Sequence, residues 1–256
     1  MSDEGWPRGV NSETRRLAYL DAMGIQVWHA RQVSPELTGA LAEPVVSRPK
    51  DRVNERVEAS EQPDSLLPAS MDWGQLSTAV STCTACDLHR SRTRTVFGVG
   101  NHSADWMIIG EAPGADEDRQ GEPFVGRAGR LLNSMLLAIG LRREQVFIAN
   151  ILKCRPPGNR DPEASEMACC RAFLDRQIQL VNPGIILSVG RVSTQNLLQT
   201  TDPVGRLRGR VYRYGNSGVP LVATYHPAYL LRRPVEKRKA WADLRLAQRT
   251  FDQGSQ

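Results

Sequence analysis

The side chains with the most chemical potential in this sequence are five cysteines. Cys83 and Cys86 form a C-x2-C pair in CTAC, Cys154 stands in KCRPPGNR, and Cys170 follows sixteen residues later with Cys169 beside it. Four thiolates from three segments can hold a tetrahedral zinc ion or a cubane iron–sulfur cluster, and sulfur chemistry alone does not separate the two. Structural zinc sites more often show two C-x2-C knuckles, whereas the second pair here is widely spaced. Neighbouring residues on a helix point about 100° apart, so only one of Cys169 and Cys170 readily faces a shared centre. Buried, inert thiols are the bland alternative, and the C-x2-C spacing argues against it.

A second group of residues could work on a small polar substrate. Gly110-Glu111-Ala112-Pro113-Gly114 is followed by Asp116, Glu117 and Asp118 and by a turn at Gly121–Phe124. Asn150 lies four residues before Cys154, and His226 opens HPAYLLR. Carboxylates can position water, an amide can read a hydrogen-bonding edge, and an imidazole can donate to a developing anion. Each segment alone also has a dull reading: a strand-to-loop turn, a satisfied amide, a core histidine, and, for Asp116 and Asp118, a solvated acidic loop.

All these segments follow short apolar runs, at Asp105–Gly110, Gln145–Leu152, Gly184–Gly190 and Val219–Tyr225. Continuous, β-branched runs of this length read as strands buried on both faces. Helical patterns alternate with them at Gly126–Ile139, at Pro162–Val181 with Asp161 as N-cap, at Arg191–Gln199 and at Pro234–Arg249. The alternation predicts an α/β three-layer sandwich, a mainly parallel central sheet flanked by helices. Ligands in such folds bind beyond the carboxyl ends of the strands, where the polar segments above all fall.

Composition narrows the function further. The 256 residues are 40% hydrophobic and carry a net charge of +5. Between Gly205 and Lys239 there are nine Lys/Arg and one acid, a local +8 that suggests a polyanionic partner. No apolar run approaches the ~20 residues of a membrane span, and the N-terminus lacks the features of a secretory signal, so a cytoplasmic protein is expected. Residues 31–70 hold five prolines and no aromatic residue. The chain is therefore divided into a short N-terminal helical or extended segment (1–30, with an amphipathic stretch at Thr14–Trp28), a flexible Pro-rich linker (31–72) and a main α/β domain (73–250).

Taken together, CTAC at 83–86, GEAPG at 110–114, GEPFVGRAGRLL at 121–132, NILKCRPPGNRDP at 150–162, Cys170 and HPAYLLR at 226–232 resemble the family 4 uracil-DNA glycosylases, the iron–sulfur branch of that superfamily. The resemblance spans roughly residues 80–247. It implies a uracil-DNA glycosylase-like fold, a [4Fe–4S] cluster on Cys83, Cys86, Cys154 and Cys170 with Cys169 as a bystander, and release of uracil from DNA by a monofunctional, monomeric enzyme that begins base-excision repair. It implies a substrate pocket of Gly110, Ala112, Glu117, Phe124, Asn150 and His226. Phe124 would stack on the base, Asn150 would accept from N3–H and donate to O4, and His226 would donate to O2, an effect worth about 3–4 kcal/mol. Ala112 stands where the best-studied branch of the superfamily has a water-activating aspartate, so Glu111 is the expected catalytic carboxylate and Glu117 the second choice. Leu230 and Leu231 fall where the superfamily inserts a wedge into the base stack, with Arg232, Arg233 and Arg206–Arg210 on phosphates.

Three rival readings compete. A DNA-crosslinking branch of the superfamily carries a basic, histidine-containing insertion that is absent here, because CRPPGNRDP runs straight into a helix. A non-catalytic iron–sulfur DNA-binding module, tied to a protein partner through residues 1–70, explains the cysteines and the basic stretch but not Glu111, Phe124, Asn150 and His226. A metal-dependent hydrolase lacks ligands once the cysteines are assigned.

Overall fold

The computed structural model describes residues 68–254, so the expected N-terminal segment and nearly all of the expected linker lie outside the described residues. The exception is residues 68–72. Pro68–Ser70 form a 3-10 turn, Arg176 Nε donates to the Met71 carbonyl at 2.7 Å, and Asp72 caps the first helix. The described residues therefore begin before the expected boundary at 73.

In chain order the elements are α1 (Trp73–Thr82), β1 (Val99–Gly100), β2 (Trp106–Gly110), α2 (Ala115–Gln120), α3 (Arg127–Ala138), β3 (Phe147–Asn150) and α4 (Ala164–Val181). They continue with β4 (Ile185–Val189), α5 (Arg191–Leu198), α6 (Val204–Leu207), β5 (Val211–Tyr214), β6 (Val219–Thr224), α7 (Pro227–Arg232) and α8 (Lys237–Gly254). The strands form one six-stranded sheet in the order β1-β3-β2-β4-β6-β5. The four inner strands are parallel, and β1 and β5 pair antiparallel at the two edges.

The pleat sorts the core into two layers. Trp106 and Ile108 of β2 face a cluster built from Leu132, Met135 and Leu136 of α3, Leu230 of α7 and Leu244 of α8. Met107 and Ile109 face the other way, onto Leu174 and Ile178 of α4 and Leu197 of α5. The three-layer α/β sandwich with a mainly parallel sheet is thus the observed architecture. Among the described residues no helix is long and apolar enough to cross a membrane.

Local structure departs from the sequence reading in several places. α4 starts at Ala164 rather than at Pro162. Glu166 reaches back to the Glu163 N–H at 2.8 Å and takes a two-pronged contact from Arg160, while Asp161 is drawn away to Arg191. The acidic stretch after GEAPG is helical as α2, and Asp118, expected to be solvated, is buried with its carboxylate accepting from the Thr93 N–H at 2.9 Å. HPAYLLR folds into α7, and the helix expected at 234–249 is a 3-10 turn at Pro234–Glu236 followed by α8.

Arg208 also departs from expectation. Its side chain turns inward onto Asp243, which is fully buried, with Nε–Oδ2 at 2.9 Å and Nη2–Oδ1 at 2.8 Å. Thr224 at the end of β6 donates to the same carboxylate at 2.9 Å. This pair ties α6, β6 and α8 together and removes Arg208 from the phosphate-contacting set. Burial raises the Asp243 pKa, and Arg208 opposes it. Arg208→Ala leaves that carboxylate without its cation and is expected to destabilise the fold by about 3–5 kcal/mol. Arg206→Ala, on an exposed side chain, should stay within ~0.5 kcal/mol. Urea denaturation of the two variants beside the parent measures the difference.

Candidate functional site

The parallel register places the ends of β2, β3, β4 and β6 along one rim. Gly110 pairs with Asn150, Ile109 with Ser188, and Val189 with Thr224. The loops leaving that rim surround a cleft of about 730 Å³, a size suited to a small polar substrate. Glu111, Ala112, Glu117, Phe124, Asn150, His226 and Arg232, all expected from sequence, line it. Gly110 lies directly behind the lining.

Gly110 owes its place to what it lacks. A Cβ there would sit 2.4 Å from Asn150 Oδ1 and 2.7 Å from Phe124 Cζ. Only a bare backbone lets both side chains close over the end of β2. Asn150 is buried, and its Oδ1 has no hydrogen-bond partner. An unpaired buried acceptor costs about 1–3 kcal/mol, so the amide is poised for a ligand that donates.

The Phe124 loop is held from three sides. Phe124 adopts φ +55°, a left-handed conformation uncommon for a residue other than glycine. Glu117 Oε1 accepts from the Val125 N–H at 3.1 Å and the Gly126 N–H at 3.3 Å, while its Oε2 accepts from the Gly114 N–H at 3.1 Å. Arg143 donates to the Pro123 and Phe124 carbonyls. Gly129 completes the cradle, since a Cβ there would overlap the Phe124 carbonyl oxygen at 1.7 Å. Glu117 thus spends both oxygens on backbone, which makes it a loop anchor more than a free base.

His226 faces Phe124, with ring centroids 5.6 Å apart and planes 29° from parallel. Its Nδ1 accepts from the Ala228 N–H at 3.1 Å as the cap of α7, which leaves the ring's single proton on Nε2. Burial, with Arg232 second, lowers its pKa to about 4, so the imidazole is neutral at physiological pH. Gly190 packs against it, a Cβ there lying 3.1 Å from His226 Cβ. Glu111 is half-buried. Desolvation raises its pKa first and Asp161 adds to the rise, while Arg191 opposes both.

Two expectations separate at HPAYLLR. Leu231 is exposed, but Leu230 is 1% exposed and packs in the core, so the expectation that both leucines are available as wedges is corrected. The reason is helical geometry: once α7 forms, adjacent side chains cannot share a face. Arg233 is exposed outside the cleft lining. Sequence reasoning missed Arg191, Tyr225 and Tyr229, which also border the cleft, and the supporting Arg143. Their only signal was position just past the strand ends, and Arg143 had none.

The cysteines form a second, narrow cavity. Cys83, Cys86, Cys154, Cys169 and Cys170 border it with Val80, Phe173, Arg92 and Lys153. Arg92 donates to Cys154 Sγ at 3.2 Å and to the Cys83 carbonyl at 2.7 Å. Cys169 is exposed, its thiol directed at the Ala85 carbonyl, whereas Cys170 is buried and burial pushes its thiol up to about 11. Lys153 is fully buried, burial lowers its pKa to about 7, and its Nζ donates to the Asn150 carbonyl at 2.9 Å and Gln177 Oε1 at 2.6 Å. Among the described residues no three His, Cys, Asp or Glu side chains are drawn up around a single-ion position.

Comparison with known proteins adds to this geometry. The model of the uracil DNA glycosylase superfamily matches residues 97–245. The chain is 45% identical over 173 residues to a type-4 uracil-DNA glycosylase of Archaeoglobus fulgidus, covering 65% of this chain and 86% of that protein. It is 42% identical over 158 residues to a type-4 uracil-DNA glycosylase of Thermotoga maritima, covering 61% of this chain and 82% of that protein. A type-5 uracil-DNA glycosylase of Pyrobaculum aerophilum is 27% identical over 150 residues, covering 51% and 64%.

Proposed function

Because the chain belongs to the uracil-DNA glycosylase superfamily, in its type-4 branch, we propose that it removes uracil from DNA by hydrolysing the N-glycosidic bond of an extruded deoxyuridine, leaving an abasic site for base-excision repair. The observation that carries this reading is Asn150 Oδ1, a buried acceptor without a partner at the cleft.

A base reaches a cleft of this kind only by leaving the stack. Uracil entering beside Phe124 presents N3–H to Asn150 Oδ1 and O4 to the amide N–H. Cytosine reverses that pattern, with an acceptor at N3 and a donor at C4, and leaves Oδ1 still unpaired. Discrimination by such a mismatch exceeds what apolar fit supplies. His226, neutral and protonated on Nε2, donates to O2. As the bond to C1′ breaks, its electron pair passes to the base, and the charge that collects at O2 meets a donor already in place. Water then bonds to the electron-poor C1′, and its proton goes to the Glu111 carboxylate. Leu231 fills the space vacated in the stack, and Arg232 and Arg233 contact phosphates. With its carboxylate committed to the Phe124 loop, Glu117 holds the pocket's shape.

The cysteine cavity fits a [4Fe–4S] cluster held by Cys83, Cys86, Cys154 and Cys170, with Cys169 outside the set. The donors are all thiols, and they border one narrow, largely apolar cavity. When bound, the cluster supplies a covalent cross-link between the C-x2-C turn, the loop after β3 and α4. Cys154→Ser is expected to lower iron content per chain and the melting temperature by about 10 °C, as loss of a ~3 kcal/mol staple would. Unchanged iron in that variant would remove Cys154 from the ligand set.

Uracil release from a uracil-containing oligonucleotide tests the activity. Asn150→Ala and His226→Ala should each lower kcat/KM by about 10²–10³ while iron content holds. A parent with full iron that binds DNA and releases no uracil supports the non-catalytic binding module instead.

The pH profile tests Glu111. Its carboxylate form is the working one, so the rate should rise with pH through a value above the usual glutamate range, set by burial and Asp161 against Arg191. His226, its pKa lowered to about 4, gains a proton only toward the acid end of that limb. Glu111→Gln should abolish the limb, Asp161→Asn should move it to lower pH, and a limb that survives Glu111→Gln assigns the base elsewhere.

A further inference from the structure

The cleft is larger than the base proposed to enter it. Phe124, Asn150 and His226 take one pyrimidine, whereas a volume of about 730 Å³ is on the scale of a much larger ligand. Tyr225 and Tyr229 line the same cleft with Val204 of α6, and neither ring has a part in the reaction above. Tyr225 is fixed in place: Arg208, itself locked onto Asp243, sets its guanidinium carbon 5.7 Å from the ring centroid. Tyr229 leans on Tyr225, with centroids 5.0 Å apart and planes 39° from parallel. Both rings are half-buried and pack against the apolar core. The result is a supported aromatic wall inside a cleft that already holds a stacking ring for uracil.

Helix α7 sets the distance between this wall and the uracil pocket. His226 caps α7, and Tyr229 follows one turn later, its N–H donating to the His226 carbonyl at 2.9 Å. Three helical residues rise about 4.5 Å. That is slightly longer than the ~3.4 Å step between stacked nucleotides of one strand. It suits the opened step that extrusion leaves beside the uracil. Arg232, three residues after Tyr229, lines the cleft with it, so a nucleotide resting on the ring has a cation at hand for its phosphate.

We propose that Tyr229, backed by Tyr225, is a second nucleobase subsite: a stacking platform for the base next to the extruded uracil on the same strand. Every base has a π face, so such a platform adds affinity without demanding a particular neighbour. It also holds the strand open on one side of the lesion while Phe124 holds the uracil. The proposal rests on the glycosylase reading for the identity of the first base.

The test removes the ring and the neighbouring base in turn. Kd is measured for the full chain on a single-stranded oligonucleotide carrying 2′-fluoro-deoxyuridine, which resists cleavage, with the neighbouring base intact or replaced by an abasic spacer on the 5′ or the 3′ side. The parent should bind about tenfold more weakly with the spacer on one side, the loss of one base–aromatic stack. Tyr229→Leu, which keeps an apolar side chain against the core, should bind the intact oligonucleotide about tenfold more weakly and be indifferent to that spacer, because both changes remove one contact. Tyr229→Phe should behave as the parent. The parent arm needs no variant, so a misfolded Tyr229→Leu leaves the test decisive. Parent binding unchanged by a spacer on either side, losses from ring and spacer that multiply independently, or an effect seen only with the spacer on the opposite strand of a duplex would overturn the proposal. Coupled losses in a parent that releases no uracil from an ordinary deoxyuridine oligonucleotide sink the glycosylase reading and leave the subsite standing. Uracil release without coupling does the reverse.

Discussion

Close approach at the end of β2 governs this molecule. Gly110 pairs in register with Asn150 and has Phe124 against it, at separations that admit no side chain. From that contact follow the direction of the Asn150 amide, the left-handed Phe124 backbone and the stacking of Phe124 on His226. The surrounding bonds serve the same geometry: Glu117 and Arg143 hold the loop that bears Phe124, Gly129 makes room for its carbonyl, and Lys153 takes the Asn150 carbonyl from behind. A site with so many converging constraints is preorganised, which is where electrostatic catalysis gets its strength.

Much of this was legible in the sequence, for identifiable reasons. Strands buried on both faces leave continuous apolar runs, so β2, β3, β4 and β6 could be read, with ends one or two residues too generous. The motif residues at their carboxyl ends were legible because a parallel sheet has only one rim for ligands. β1 and β5 left no such trace, since one has two residues and the other alternates exposed and buried positions in VYRY. α2 reads ADEDRQ and has no apolar stripe, and α7 is short and opens on a proline that also suits a loop.

Long-range partners were the least visible. Nothing local in Asp118 announces backbone donors twenty-five residues upstream, and nothing in Arg208 announces Asp243 thirty-five residues on. The misplaced start of α4 has the same origin. Asp161–Pro162 has the form of a cap and first turn, but Arg191 claims Asp161 and Arg160 steers Glu166 into the capping role. Leu230 and Leu231 differ in fate because a helix formed where a loop was expected.

The sheet's margins carry a consequence of another kind. Exposed strand edges invite pairing with another chain. Here β1 offers only Val99 and Gly100, with Gly98 before it and Gly100 itself in left-handed backbone conformations, and β5 closes the far side with an exposed Arg213. Neither margin offers a long, flat, apolar template. The same two strands that were invisible to pattern reading therefore act as terminators, limiting amyloid-like stacking and edge-to-edge self-association when many copies of the chain crowd together.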